Sequence, residues 1–108
     1  MKIGDIILIP FPFAELTNKK VRPEVVITET ADKYKDIVVA AISSVIPQKF
    51  STREIVLEPN KENMLRVKSV LKSDRIVTLK REDKIADLGK LSKSELSKFK
   101  SILSDIIK

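Results

Sequence analysis

Six short segments rich in valine and isoleucine, bounded by Pro, Asn, Asp or Lys clusters, precede one stretch whose apolar residues recur at threes and fours. The first pattern is that of strands with buried faces and the second that of an amphipathic helix. The chain is therefore expected to be mainly β, a small barrel or sandwich with a C-terminal helix. The expected strands are residues 3–13, 24–29, 36–45, 54–57, 69–72 and 76–79. Pro10 and Pro12 would each remove a ladder N–H from a central strand, which places the far end of the first strand at an edge or a bend. The polar run 15–20 then becomes a mobile surface loop, and the irregular stretch 59–68 has room for one helical turn around residues 63–65.

The helix is the element best specified by its own residues. Ser92 and Glu95 have the S-x-x-E spacing in which each side chain satisfies a free backbone N–H at a helix start, and Leu91 with Leu96 can close as a hydrophobic staple. Leu96, Phe99, Ile102, Leu103, Ile106 and Ile107 follow on one face, which must be buried on the sheet or on a partner. Lys93, Lys98, Lys100 and Lys108 occupy the other faces, as solvated positions or as a basic stripe.

At 108 residues and 43% hydrophobic content, the chain is expected to form one domain with a single core over residues 1–108. No stretch approaches the roughly twenty apolar residues of a membrane span. No secretory leader is expected, because Pro10 and Pro12 break the apolar run that follows the N-terminus, and the cytoplasm is the default compartment. The absence of cysteine removes disulfides, a thiolate nucleophile and zinc–thiolate sites. The absence of histidine excludes an imidazole acid or base, a Ser-His-Asp relay and a histidine-bound metal. The acidic residues are dispersed and show no ligand spacing for a divalent ion, so no metal or other cofactor is expected. With only Gly4 and Gly89 there is no glycine-rich phosphate loop. The net charge of +6 raises the local concentration of polyanions without saying which.

Phosphodiester cleavage without histidine has one economical route. The 2′-hydroxyl of RNA attacks the adjacent phosphorus, so the nucleophile arrives with the substrate, and the protein has to stabilise charge on the phosphoryl oxygens and align the attacking and leaving atoms. DNA lacks that hydroxyl and would not be cut. Arg22 is a candidate for the charge, because Pro23 forces it into extended backbone at the mouth of the apolar strand Val25-Val26-Ile27, beside the loop. Arginine is mostly exposed whatever its role, so Arg22 alone decides nothing. Ser43 and Ser44 end the apolar run 37–42, where a hydroxyl either meets a phosphate or closes a turn. Lys72 and Asp74 stand two apart and would project from one face of an extended segment as a cation and a proton acceptor, or as a plain surface ion pair.

Taken together, GDIILIPFPF (4–13), VRPEVVI (21–27), DIVVAAIS (36–43), EIVLEP (54–59), SVLKSDRIVTL (69–79) and LGKLSKSEL (88–96) resemble, in order and spacing, the MazF/PemK toxin family. The resemblance spans almost the whole chain. It implies an SH3-like barrel, a homodimer and a type II toxin that cuts single-stranded messenger RNA to a 2′,3′-cyclic phosphate and a 5′-hydroxyl. It also implies an antitoxin whose disordered tail occupies the RNA groove. Arg22 falls on the family's R-P arginine, and Ser43 falls where many members carry a threonine. Lys72 with Asp74 falls on an Arg-x-Asp pair, where lysine keeps the charge and loses the bidentate fork. The loop glutamate of some members is Thr17 here. Thr17, Asn18, Lys19, Lys20 and Ser44 are the expected RNA contacts.

Two other readings remain. CcdB toxins share the barrel and poison DNA gyrase, but they depend on C-terminal residues that include a tryptophan, and this chain has none. A non-catalytic nucleic-acid-binding barrel would want aromatic platforms for bases, whereas the chain offers one tyrosine, Tyr34, and four phenylalanines, of which Phe99 belongs to the core pattern.

Overall fold

The computed structural model describes residues 1–10 and 21–108; the expected RNA contacts Thr17 to Lys20, the loop 15–20 and Pro12 lie outside the described residues. Six strands and one helix follow in chain order: β1 (Asp5–Pro10), β2 (Val21–Glu29), β3 (Ile37–Ser43), β4 (Glu54–Leu57), β5 (Ser69–Leu79), β6 (Ala86–Lys90) and α1 (Lys93–Ile106). The strands form one antiparallel sheet in the order β4-β5-β3-β2-β1-β6, curled into a half-barrel. The mainly β fold with a C-terminal helix is the expected one. Its edges are the short strands β4 and β6, which limits the unpaired backbone on offer.

Adjacent residues of the inner strands fall into two different apolar clusters. Ile6, Val25, Ala40 and Ile42 pack with Leu57, Leu71 and Phe99, while their neighbours Ile7, Val26 and Val39 pack with Ile9 and Ile37. Side chains of a strand alternate between faces, so the continuous Val and Ile runs exist because both faces of the sheet are covered. On the first face the cover is α1, whose fully buried Phe99 contributes on the order of 1.5–3 kcal/mol by leaving water.

The helix begins as expected. Glu95 N–H donates to Ser92 Oγ at 3.2 Å and Ser92 N–H to Glu95 Oε1 at 2.9 Å, and Leu91 and Leu96 both join the core cluster. Gly4 ties this start to the sheet: its N–H donates to the Val26 carbonyl and its carbonyl accepts from Leu91 N–H, both at 2.9 Å. Gly4 has φ +92, a left-handed conformation that favours glycine, while a Cβ there would meet only the movable end of Leu96 at 2.9 Å.

Several boundaries differ from expectation. Residues 69–72 and 76–79 are two ends of one strand, β5, and what breaks between them is the register. Ala41 pairs with Lys72 and the preceding Ala40 with Ile76, so Ser73, Asp74 and Arg75 bulge out of the β3 ladder. β6 has no strand-like pattern and is a strand through its pairing with β1; Gly89 also lets the backbone of residues 62–63 approach, since a Cβ would sit 2.2 Å from the Glu62 carbonyl oxygen. The helical turn expected at 63–65 is a single loop of backbone in which Met64 N–H donates to the Asn60 carbonyl at 3.0 Å, ended by left-handed Met64 at φ 57. Buried Asn63 holds it, accepting from Asn60 and Leu65 N–H through Oδ1 and donating to the Glu58 carbonyl through Nδ2. A 3₁₀ turn at Arg81–Asp83 was not anticipated. Pro10, exposed at the end of β1, runs past the last β6 pairing at Leu8–Ala86, consistent with the expected edge position.

Candidate functional site

The geometry of the site starts at Pro23. Proline has no N–H to give a neighbouring strand. One step beyond the Glu24–Ala41 pair, Pro23 faces Ile42, and the Ile42 carbonyl accepts instead from Arg22 Nη2 at 3.2 Å. The guanidinium is thereby fastened to the backbone of β3 immediately before Ser43. On its other edge Arg22 Nε lies 2.6 Å from Glu24 Oε1, as the Arg-x-Glu spacing on one strand face allows.

Arg22 and Ser43 share a cleft of about 690 Å³ with Ser44 and Lys72. Lys72 reaches it because it stands opposite Ala41 of β3 and Glu54 of β4. Ser43 Oγ accepts from Val45 N–H at 3.1 Å, which closes the turn after β3 and leaves the hydroxyl hydrogen able to donate. Arg22, Ser43 and Lys72 of the expected catalytic residues, with the expected RNA contact Ser44, are therefore neighbours around one opening.

Asp74 is not. The β5 bulge begins at Ser73, which is fully buried and donates its N–H to the Arg53 carbonyl at 3.0 Å, and Asp74 follows in the exposed part of the strand. Asp74 does not line the cleft, and its Oδ2 lies 3.8 Å from Arg53 Nη1 at the surface. A two-residue spacing guarantees a shared face only where the strand keeps its register.

Two cations in the cleft wall had no sequence signal strong enough to single them out. Arg66 arrives on the segment that follows the Asn63-held turn, and Arg75 arrives through the bulge. With Arg22 and Lys72 they make four positive side chains, and among the described residues no acidic side chain lines the opening. Positive charge set in a concave wall focuses the field on an entering anion. The rest of the wall is largely apolar, with half-exposed Val21, Met64 and Val67 and exposed Val45 at its rim.

Glu24 was also missed. It is 2% exposed, and burial pushes its carboxyl from an ordinary value near 4.5 up to about 7, with the Arg22 charge and hydrogen bond pulling the other way. Desolvation wins over a cation in contact because Glu24 has lost nearly all of its water. The signal available was a charged residue set two positions from Arg22 at the entrance to an apolar strand. Among the described residues no group of three or more acidic side chains is placed to hold a metal ion. No helix among them is long and apolar enough to cross a membrane.

A family profile described as a PemK-like, MazF-like toxin of a type II toxin–antitoxin system matches residues 2–107. No curated protein sequence matches the chain. Solved structures share the fold, among them the following three. An endoribonuclease solved in complex with its cognate antitoxin, from a mycobacterial species, has a TM-score of 0.73 at 13% identity, covering 99% of this chain and 94% of its own. The toxin MazF-mt6 of Mycobacterium tuberculosis has a TM-score of 0.67 at 17% identity, with 95% of each chain covered. MazF of Deinococcus radiodurans has a TM-score of 0.69 at 19% identity, with 99% and 96% covered.

Proposed function

The chain belongs to the PemK-like, MazF-like toxins of type II toxin–antitoxin systems, and from that premise we propose that it is an endoribonuclease whose catalytic groups line the Arg22 cleft. The substrate is single-stranded messenger RNA, cut at selected sequences. The 2′-hydroxyl gives its proton to solvent water and attacks the adjacent phosphorus, the 5′-oxygen leaves and is protonated, and the products carry a 2′,3′-cyclic phosphate and a 5′-hydroxyl. Arg22 neutralises charge on the pentavalent phosphorus, which a planar fork fixed at its Nε and Nη2 edges does without reorganising. Ser43 donates to a phosphoryl oxygen and orients it. Lys72 adds charge and is the nearest candidate to protonate the leaving oxygen. No metal takes part, and no carboxylate of the described cleft wall would hold one.

The single observation that carries this reading is the convergence of Arg22, Ser43 and Lys72, from three different strands, on one cation-lined opening. Arg66, Arg75 and Ser44 extend the contact along the RNA backbone; Thr17, Asn18, Lys19 and Lys20, outside the described residues, are further RNA contacts in this proposal. Asp74 has no part in the reacting group.

Membership of the family supports the partners proposed here. The protein works as a homodimer in the cytoplasm, and its antitoxin supplies an acidic segment with apolar side chains to match the cations and the rim of Val21, Val45, Met64 and Val67. Single-stranded RNA incubated with the protein in EDTA should yield fragments ending in cyclic phosphate, and sequencing their 5′ ends reads the cleavage motif. Equal inertness of wild type and Arg22→Ala over a broad set of RNA sequences would end this reading.

A further inference from the structure

Glu24 is a carboxylate beneath the site and not in its wall. It does not line the cleft, so it cannot touch a phosphate bound there. Its Oε1 is in contact with Arg22 Nε, and its Oε2 is buried with no hydrogen-bond partner among the described residues. Among the described residues its neighbours offer little else that is charged. On β1 it faces Ile7 and on β3 it faces Ala41; on β2 the same-face residues are Arg22 and Val26. The next charged groups outward are Lys72, the β5 partner of Ala41, and Asp87, the β6 partner of Ile7, which is already paired with Lys84 at 3.0 Å. Arg22 is thus the cation against which Glu24 is set.

We propose that Glu24 is a positioning residue for Arg22 and that it takes up one proton from solvent when a phosphodiester enters the cleft. Ionised Glu24 aligns the guanidinium through Nε and also cancels much of its charge. An incoming phosphate adds a second anion to the same low-dielectric corner, where two anions compete for one cation. Protonating Glu24 relieves that competition and frees the share of the Arg22 charge that Glu24 had offset, while Arg22 keeps its own proton throughout. Binding of anion and proton then favour one another, and linkage makes the effect reciprocal. The burial that holds Glu24 near its titration point at neutral pH makes the uptake accessible.

The inference rests on the RNA-cleaving reading of this cleft, and the experiment separates the two. Carboxyl ¹³C NMR follows Glu24 from pH 5 to 9 in the free protein, with inorganic phosphate, and with a 2′-O-methyl RNA of mixed sequence, which has no free nucleophile. Expected results are a midpoint near neutrality that rises by about half a unit or more with each anion. The affinity for the 2′-O-methyl RNA should fall about three- to tenfold from pH 6.5 to 8.5, one linked proton allowing at most tenfold per unit. Glu24→Gln should flatten that dependence and the alkaline limb of the KM profile, and Glu24→Asp should restore the pH dependence without restoring the rate. A Glu24 midpoint in the ordinary carboxylate range, or one that neither anion moves, overturns the proposal, as does an identical affinity–pH profile in folded Glu24→Gln. Should Glu24→Gln fail to fold, the wild-type titration decides alone. If Glu24 responds to phosphate while no RNA is bound or cut, the proton linkage stands and the ribonuclease reading falls.

Discussion

Among the described residues, two arginine–carboxylate pairs lie on or beside this sheet, and they differ in everything except chemistry. Arg22 and Glu24 are 2.6 Å apart, with the glutamate side chain only 3% exposed, whereas Arg53 and Asp74 are 3.8 Å apart and both nearly half exposed. The first pair stands on consecutive same-face positions of a central strand; the second joins the approach to β4 with the β5 bulge. Water decides the outcome. In the surface pair both ions stay solvated, and holding two side chains in register cancels most of the attraction. In the buried pair the carboxylate has surrendered its solvent, so the pair is a site of tension between desolvation and attraction, and only there does a small change in nearby charge move a proton.

The contrast can be broken most sharply through activity. Arg22→Ala is expected to lower RNA cleavage about 10²–10³-fold, the loss typical of a preorganised charge stabiliser, while Arg53→Ala leaves the rate within about threefold in the same gel assay. Next in size is the dependence of stability on pH. Because the folded-state value of Glu24 is raised, the folded chain holds a proton that the unfolded chain has released. Stability is therefore highest below about pH 4.5, declines as pH rises to about 7, and is flat in this contribution above that. At about 1.4 kcal/mol per unit the upper bound is on the order of 3 kcal/mol, and urea unfolding at pH 5 and 8 should show the slope in wild type and not in Glu24→Gln.

A smaller difference is expected from double-mutant cycles. Truncating Arg22 and Glu24 singly and together should return a coupling on the order of 2 kcal/mol. The Arg53–Asp74 cycle should return less than about 0.5 kcal/mol, and an equal coupling in the two cycles would erase the distinction drawn here. The smallest effect belongs to Asp74→Asn, for which cleavage within about twofold of wild type is expected. A loss comparable to that of Arg22→Ala would put Asp74 back among the reacting groups despite its distance from the cleft.

The parts of the molecule that could be read from the residues are those governed by near neighbours. The capping pair Ser92 and Glu95, the stripe through Phe99 and Ile102, and the Val and Ile runs of β2 and β3 each carry their own explanation within a few positions. Arg22 and Ser43 were identifiable because a proline and a strand end mark them. β6 was not, since Ala-Asp-Leu-Gly-Lys has no alternation and becomes a strand only by pairing with the distant β1. Arg66, Arg75 and the misplaced Asp74 escaped for the same reason: a turn and a bulge set their directions, and both depend on pairing with remote strands.

What the sequence alone determined was a mainly β chain with one capped helix, an imidazole-free and thiol-free chemistry, and a short set of candidates at strand ends. Which candidates meet in one cleft, and which carboxylate loses its water, the tertiary structure decided. The physical reason is range. Backbone periodicity and capping are settled within a turn or a strand, whereas desolvation and the summed field at a point depend on every side chain the fold brings there, such as Ile7 and Ala41 around Glu24.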